Sequence, residues 1–315
     1  MEYGERLVMK VLITGCAGFL GVKLVKELLK RGYKVVGVDL LDKFTGDLDI
    51  EYDFQYFKLD LRNEEEVMQV FEECKKIDLI IHTAAIQPTS SEMDLAHYID
   101  TNTVIAINLS KASVKYNLAK IIYNSSFSVY SEPIYLPIDE HHETKPRNPY
   151  GVSKLFGEQV FEYYHRKNKI DLIILRIDGI YGNNQTIPGF IEYVLGELLT
   201  GGDIELYQKG RQKRDPVYVD DVVAANMLSI DFDSSFEVFN ICGDDIKTSE
   251  MAVSIINSQV KSSSRIILSD KGNPMLSHDV YMSSSKAINE LGYKPLKLSE
   301  NIIKMLKEKK RSQNV

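Results

Sequence analysis

The sequence predicts an α/β fold: a doubly wound parallel sheet with helices on both faces and a smaller mixed α/β lobe in the carboxy-terminal part. Three observations carry this. Val11-Leu12-Ile13 reads as a buried strand, glycines follow at Gly15, Gly18 and Gly21, and residues 22–29 then have helical spacing. Apolar strand segments alternate with helical ones from residue 10 to residue 182. An acid, Asp39, closes the second strand eighteen residues after Gly21.

Each glycine of the first turn has its own task. Gly15 permits the tight turn, Gly18 lets the backbone approach a pyrophosphate, and Gly21 lets helix and strand pack closely. The N–H groups and positive dipole end of the new helix then face the phosphates, which makes this the opening of a Rossmann fold. Gly32 ends the helix and Val35-Val36-Gly37-Val38 is the second strand. Asp39 suits the adenosine ribose hydroxyls and repels a 2′-phosphate, predicting NAD as cofactor, while Lys43 nearby leaves NADP open.

A polar connection over 42–53 leads to a short strand at 55–58 and to Leu59-Asp60-Leu61. Asn63 is the expected N-cap of an acidic helix reaching Cys74. The next strand, Asp78-Leu79-Ile80-Ile81-His82, runs into Thr83-Ala84-Ala85, whose small side chains let a flat cofactor lie against the backbone. A helix is expected over 94–116 with Asn102 inside it, then a strand at 121–123 ending in Asn124-Ser125-Ser126. A loop rich in proline and charge precedes a helix from Pro149 to about Arg166, and a further strand covers 170–175.

Beyond residue 182 the alternation loosens. A helix near 190–199, a glycine turn at Gly201-Gly202, β segments near 205–207 and a helix from about Asp220 are expected. The predicted organisation is therefore an extension over 1–8, a nucleotide-binding domain with the catalytic residues over 9–182, and a substrate lobe over 183–315, with some segments returning to the core.

Composition excludes several partners. A net charge of −7 argues against nucleic acid, which needs a basic face. No apolar run approaches the roughly 20 residues of a membrane span. The first residues lack the apolar core of a signal peptide. Three scattered cysteines, Cys16, Cys74 and Cys242, show neither metal spacing nor a disulfide framework, which predicts a reducing cytoplasm. Cys16, inside the glycine turn, reads as packing, and His141-His142 as a solvated loop pair.

Tyr150 and Lys154 stand four apart on an expected helix, so a phenol and an ammonium share one face. An ammonium near the phenol predicts that Tyr150 titrates below the roughly 10 of free tyrosine and serves as a general acid/base. Ser126, ending a neighbouring strand, can hydrogen-bond the same substrate oxygen. With a nicotinamide held by the first half of the sheet, this is a site for moving hydride between a carbinol and the cofactor.

At these residues the sequence resembles an extended short-chain dehydrogenase/reductase of the NAD-dependent epimerase/dehydratase family. The likeness covers nearly the whole chain, from Thr14-Gly15 through Gly21, Asp39 and Asp60-Leu61 to Ser125-Ser126 and Asn148-Pro149-Tyr150. It continues through Tyr181-Gly182, Arg214-Asp215 and Leu291-Gly292-Tyr293. The resemblance implies that Phe19, Leu20, Asp60, Leu61, Thr83, Ala84, Ala85, Asn102 and Ile177 line the cofactor. It implies that Lys154 also holds the nicotinamide ribose, that Ser128 contacts substrate, and that Arg214 grips a nucleotide-sugar diphosphate. It further implies a homodimer through the helices near 94–116 and 149–166, for which Val104, Ile107 and Val114 are candidate apolar contacts, the alternative being that they face the parent sheet.

Departures narrow the reaction. Related 4,6-dehydratases carry an acid pair after the serine or threonine, where Phe127 and Ser128 stand here. Related decarboxylases carry a glutamate at the Ser128 position, and reductases that also epimerise carbons 3 and 5 carry a cysteine at the Phe127 position. Hydride chemistry at one carbon remains, most simply a nucleotide-sugar 4-epimerase. The alternatives are a dehydrogenase/reductase of another carbinol and a non-catalytic NAD-binding regulator. Two diphosphate contacts depart as well: Ile177-Asp178-Gly179 lacks the family asparagine, and only Lys271 is positive over 271–275.

Overall fold

The computed structural model describes residues 8–48, 52–87, 94–185, 187–243, 245–272 and 279–313. The extension expected over 1–8 lies outside them except for Val8, and so does 273–275 of the stretch where a second diphosphate cation was sought. Strand β1 (Lys10–Thr14), helix α1 (Phe19–Lys30) and strand β2 (Lys34–Asp39) open the chain. Then come β3 (Phe54–Lys58), α2 (Glu64–Cys74), β4 (Leu79–His82), α3 (Leu95–Tyr98) and α4 (Val104–Lys115). Strand β5 (Lys120–Ser126), α5 (Pro149–Asn168) and β6 (Asp171–Ile177) follow.

The later elements are shorter: β7 (Ile180–Tyr181), α6 (Phe190–Thr200), β8 (Ile204–Leu206), β9 (Lys213–Arg214) and β10 (Val217–Tyr218). Helix α7 (Val219–Asp231), β11 (Phe236–Ile241), β12 (Lys247–Thr248), α8 (Ser249–Val260), β13 (Ile266–Leu268) and α9 (Leu298–Gln313) complete the chain. The helix expected over 94–116 is broken by one π-helical turn, Ile99–Thr103, which holds Asn102.

The chain divides into two compact units. The first comprises 1–132, 143–176 and 223–239, and the second 133–142, 177–222 and 240–315, so no single cut at residue 182 separates them. The central sheet has seven strands in the order β11-β6-β5-β4-β1-β2-β3. Its pairs from β3 through β5 are all parallel. The order reverses between β1 and β4, and the crevice at the carboxyl ends of those strands is where such sheets bind ligands. Their central residues, 11–13 and 79–81, are buried apolar runs, as expected of a sheet covered on two faces. Behind them Leu12, Ile80, Ile121 and Ile174 pack with Phe71, Leu109 and Phe161.

Local signals explain where the site helices start. Asn63 caps α2, its side-chain oxygen accepting from the N–H groups of Glu65 (3.1 Å) and Glu66 (3.4 Å). Asn148 caps α5 by accepting from Gly151 N–H at 2.7 Å, with Pro149 at the first helical position. A Cβ on Gly151 would stand 2.1 Å from the Ser128 carbonyl oxygen, so this glycine lets α5 reach the turn that follows β5. In the second unit, β8 pairs with β13, β9 with β12 and β7 with β10 as short two-stranded ribbons.

Candidate active site

The first unit forms a cradle at the end of β1. Gly15 takes φ +68°, a turn that side chains avoid, and a Cβ there would stand 2.8 Å from Ala84. A Cβ on Gly21 would stand 2.1 Å from the Gly15 carbonyl oxygen, so helix and turn touch backbone to backbone. Gly18 differs. It is exposed at the N-cap of α1, and a Cβ there would meet only the Gly15 oxygen, at 3.2 Å. It contributes no side-chain acceptor and no acid occupies the first turn, so the leading N–H groups at Phe19 and Leu20 face an open, electropositive helix end. Asp39 closes the cradle, its oxygens accepting from Ala17 N–H (3.0 Å) and Leu41 N–H (3.3 Å). Fixed by two N–H groups and still rich in lone pairs, that carboxylate suits ribose hydroxyls. These residues fit a dinucleotide.

The remaining cofactor candidates are placed with more variety. Thr83 donates to the Thr14 carbonyl at 2.7 Å, binding the end of β4 to the end of β1 and leaving Ala84 and Ala85 partly exposed. The Arg62 guanidinium forks onto Asp60 at 2.6–3.0 Å and holds that carboxyl below its usual range. Leu61 is buried in the core and its carbonyl accepts from Asn108, so only its N–H remains for a base. Asn102 spends its amide on Ile86, accepting from the N–H at 2.8 Å and donating to the carbonyl at 3.3 Å, and on Ser153 Oγ at 3.0 Å. It positions the segment after β4. Ile177 is buried at the end of β6, at the start of a second-unit segment.

Ser126, Tyr150 and Lys154 come together within the first unit. Ser126 Oγ accepts from Ser128 N–H at 3.2 Å and hydrogen-bonds the Tyr150 phenol. Lys154 lies one turn along α5, 2 % exposed, and its Nζ donates to the Asn124 carbonyl at 2.6 Å. The ammonium also rests over the Tyr123 ring, 4.3 Å from its centroid. The side chain of Asn124 is held in turn. The Asn124 amide exchanges two hydrogen bonds with Asn226 of α7, at 2.9 and 2.8 Å.

This geometry corrects one expectation. Surrounding protein pushes the Tyr150 phenol up to about 12, although the Ser126 hydrogen bond opposes the rise. Sharing a helix face does not set the direction of a long side chain, and Lys154 gives its charge to the β5 carbonyl. Burial lowers Lys154 itself to about 7, with Glu158 acting against the fall. A second correction concerns His142, which is buried and accepts from Ile134 N–H at 3.0 Å, whereas His141 is exposed. Cys16 is buried, its thiol pushed up to about 12 by desolvation, as packing requires. No group of side chains fit to hold a metal occurs among the described residues.

Sequence reading missed a buried ionic group beside these three. Arg176 at the end of β6 forks onto Glu158 of α5 (2.7 and 3.1 Å) and donates to Tyr130 Oη (3.1 Å). Ser125 donates to the same Glu158 at 2.5 Å. The spacing Lys154-x-x-x-Glu158 was its one signal in the sequence. In the second unit Arg214 donates to the Lys213 carbonyl at 2.7 Å and shares its surroundings with Asp178 and Asp279. Lys271 is paired with Glu205 at 2.9 Å.

Residues 11–242 match the profile of the NAD dependent epimerase/dehydratase family. A putative UDP-glucose 4-epimerase of Methanocaldococcus jannaschii is 32% identical over 300 residues, covering 93% of this chain and 95% of the relative. A UDP-glucose 4-epimerase of Thermotoga maritima, crystallised with UDP-glucose, superposes with a TM-score of 0.86 at 26% identity, covering 97% of this chain and all of that one. A UDP-glucuronic acid 4-epimerase of Bacillus cereus, crystallised with NAD, gives 0.80 at 28% identity over 93% and 96% of the two chains.

Proposed function

Because the chain belongs to the NAD-dependent epimerase/dehydratase family, we propose that it is an NAD-dependent nucleotide-sugar 4-epimerase acting on a UDP-sugar. The observation that carries this reading is the Ser126–Tyr150 hydrogen bond with Lys154 one turn along α5, in the same unit as the α1 cradle. Gly15, Gly18, Gly21, Phe19, Leu20 and Asp39 hold the cofactor's phosphates and ribose. NAD, once bound, supplies the acceptance and return of hydride.

The chain's own residues manage the proton. Ser126 aligns the reacting hydroxyl, and Tyr150 Oη takes its proton and later returns it. A phenol held near 12 is a proton donor at neutral pH, so its work as a base needs positive charge close to the oxygen. Lys154, which donates to the Asn124 carbonyl here, supplies it by turning its ammonium toward the phenol when the site is loaded. Phe127 and Ser128, half-buried in the turn after Ser126, offer no acid or base for eliminating water, which supports epimerisation over dehydration. Arg214 of the second unit is assigned to the diphosphate and Ser128 to the sugar.

Incubation of the purified protein with UDP-, GDP- and dTDP-sugars, without added NAD, tests this reading. Epimerisation of a UDP-sugar by protein that retains its own NAD is the expected result. Stoichiometric reduction of added NAD, with no epimer formed, would establish the dehydrogenase instead.

The same reading includes a homodimer. Phe156 and Tyr163 lie seven residues apart on α5 and are exposed, while Val104, Ile107 and Val114 of α4 are half-buried. A monomer mass at micromolar concentration would contradict it. A cytoplasmic location is supported by three buried cysteines, none of them in a disulfide among the described residues. No helix among the described residues is long and apolar enough to cross a membrane.

A further inference from the structure

Four elements of the first unit meet beneath the reacting groups, and one side chain ties them together. Glu158 sits on α5 one turn beyond Lys154 and is 4% exposed. Its Oε1 accepts from Ser125 Oγ at 2.5 Å, and Ser125 is the neighbour of Ser126 on β5. Its two oxygens take the Arg176 fork from β6, and the same guanidinium reaches the Tyr130 hydroxyl beyond the β5 turn. Adjacent residues of a strand point to opposite sides, so Ser125 faces α5 while Ser126 turns to the substrate side. The Ser125–Glu158 bond therefore fixes the strand that carries Ser126 against the helix that carries Tyr150 and Lys154.

The same carboxylate has an electrostatic reach. Residues four apart on a helix are neighbours, at roughly 5–6 Å between their Cβ atoms. The groups facing Lys154 are Glu158 from α5, Tyr123 and the Asn124 carbonyl from β5, and His82 from β4. Arg176 from β6 and Tyr98 from α3 stand behind Glu158 and Tyr150 respectively. His82, fully buried and bonded to Thr14 Oγ1 at 2.7 Å, is held neutral by desolvation and by the Lys154 charge. Tyr123 is pushed well above its ordinary range by burial. Among these groups Glu158 is the one carboxyl, and it is ion-paired with Arg176 at 2.7 Å.

We propose that Glu158 is the positioning residue of this site: it braces the Ser126 strand against the Tyr150–Lys154 helix, and its charge keeps the Lys154 side chain an ammonium. Burial alone would make a neutral amine of that lysine, which could neither hold the ribose hydroxyls as a cation nor lower the phenol. Arg176 holds the carboxylate in place and neutralises it toward β6, so the charge is retained in a dry site. The inference rests on the assignment of Tyr150 and Lys154 above.

The test is an NMR titration of Lys154 in full-length protein carrying 13C-lysine, its resonance assigned by its loss in Lys154→Met. In the wild type the midpoint is expected near 7. Glu158→Gln keeps the shape and the Ser125 contact but removes the charge, and should lower the midpoint by about one unit, a ten-fold change in the proton equilibrium. Glu158→Gln strips the buried Arg176 of its ion pair and puts folding at risk, so Glu158→Gln/Arg176→Met, with no buried charge stranded, is titrated beside it. Its midpoint should also fall, by less. A midpoint unmoved in the double variant, or in the single one where it folds, overturns the proposal, because a merely structural brace would change stability alone. Tyr150→Phe separates the two levels. If it still interconverts UDP-glucose and UDP-galactose at the wild-type rate, the assignment of the proton carrier fails, while the effect of Glu158 on Lys154 is still read by the titration.

Discussion

Each unit buries an ionisable group whose proton equilibrium is moved to about 7, and the two groups carry opposite charge. In the first unit desolvation brings Lys154 down, and Glu158, locked by Ser125 and Arg176, resists it. In the second unit desolvation brings the carboxyl of Asp178 up to about 7. There the Gly179 N–H at 2.6 Å and the nearby Arg214 oppose the rise, while Asp215 adds to it. The lysine is framed by fixed dipoles and a charge pair on three strands and a helix. The aspartate depends on one backbone donor and the balance between an arginine and another acid. The difference suits a region that must hold a reacting geometry and one that must accept ligand charge.

The sharpest way to break that contrast is through Tyr150. General acid–base groups contribute about 10²–10⁴-fold, so Tyr150→Phe should lose turnover on that order with NAD binding little changed. Near-wild-type turnover would remove the chemistry from the first unit. Next in size is Arg214→Met in the second unit. Loss of a charge-assisted contact of about 1.5–3 kcal/mol should weaken UDP roughly 10- to 100-fold in calorimetry, with NAD affinity unchanged. A matching loss of NAD affinity would show that the arginine does not serve the nucleotide-sugar.

Gly18→Ala sharpens the picture of the cradle. Its methyl group meets only the Gly15 oxygen at 3.2 Å, so melting of the cofactor-free protein should hold within a few degrees while NAD binding weakens about ten-fold. A large loss of stability with affinity intact would make Gly18 a folding residue. At Asp178 the expected effect is on stability alone and depends on pH. Its folded value lies above the unfolded one, so its contribution is fully present below about pH 4 and is lost as pH rises through about 7. Asp178→Asn should therefore stabilise the protein above pH 7, by up to about 4 kcal/mol for a rise from 3.8 to about 7, and lose that advantage by pH 4. Denaturation curves whose difference stays constant from pH 4 to pH 8 would contradict this.

Legibility in the sequence followed the range of the interactions. β1, α1 and β2 were readable because glycine conformations, apolar periodicity and the closing acid are local, and Asn63 and Pro149 marked helix starts for the same reason. The π turn at Ile99–Thr103 inserts a step that helical spacing cannot reveal, and it turns Asn102 toward Ile86 and Ser153. Strand β11 joins the sheet beside β6 although some sixty residues separate them, a pairing no local pattern encodes. Helices α8 and α9, in the weakly patterned carboxy-terminal part, were not anticipated. In the site, spacing put Lys154 and Tyr150 on one face, but the lysine's direction depends on a carbonyl thirty residues away. The Asn124–Asn226 side-chain exchange joins residues 102 apart.

The bare start of α1 carries a thermodynamic consequence. With glycine at its cap and no acid in its first turn, the helix leaves its leading donors to be met from outside the chain. A ligand that meets them binds the folded state and has nothing comparable to bind in the unfolded one. Its occupancy then becomes heat resistance: at a hundred times the dissociation constant, about 2.7 kcal/mol is added to the stability of the fold. Preparations that differ only in how much cofactor they kept would melt at different temperatures, and their melting would report saturation before any sugar is added.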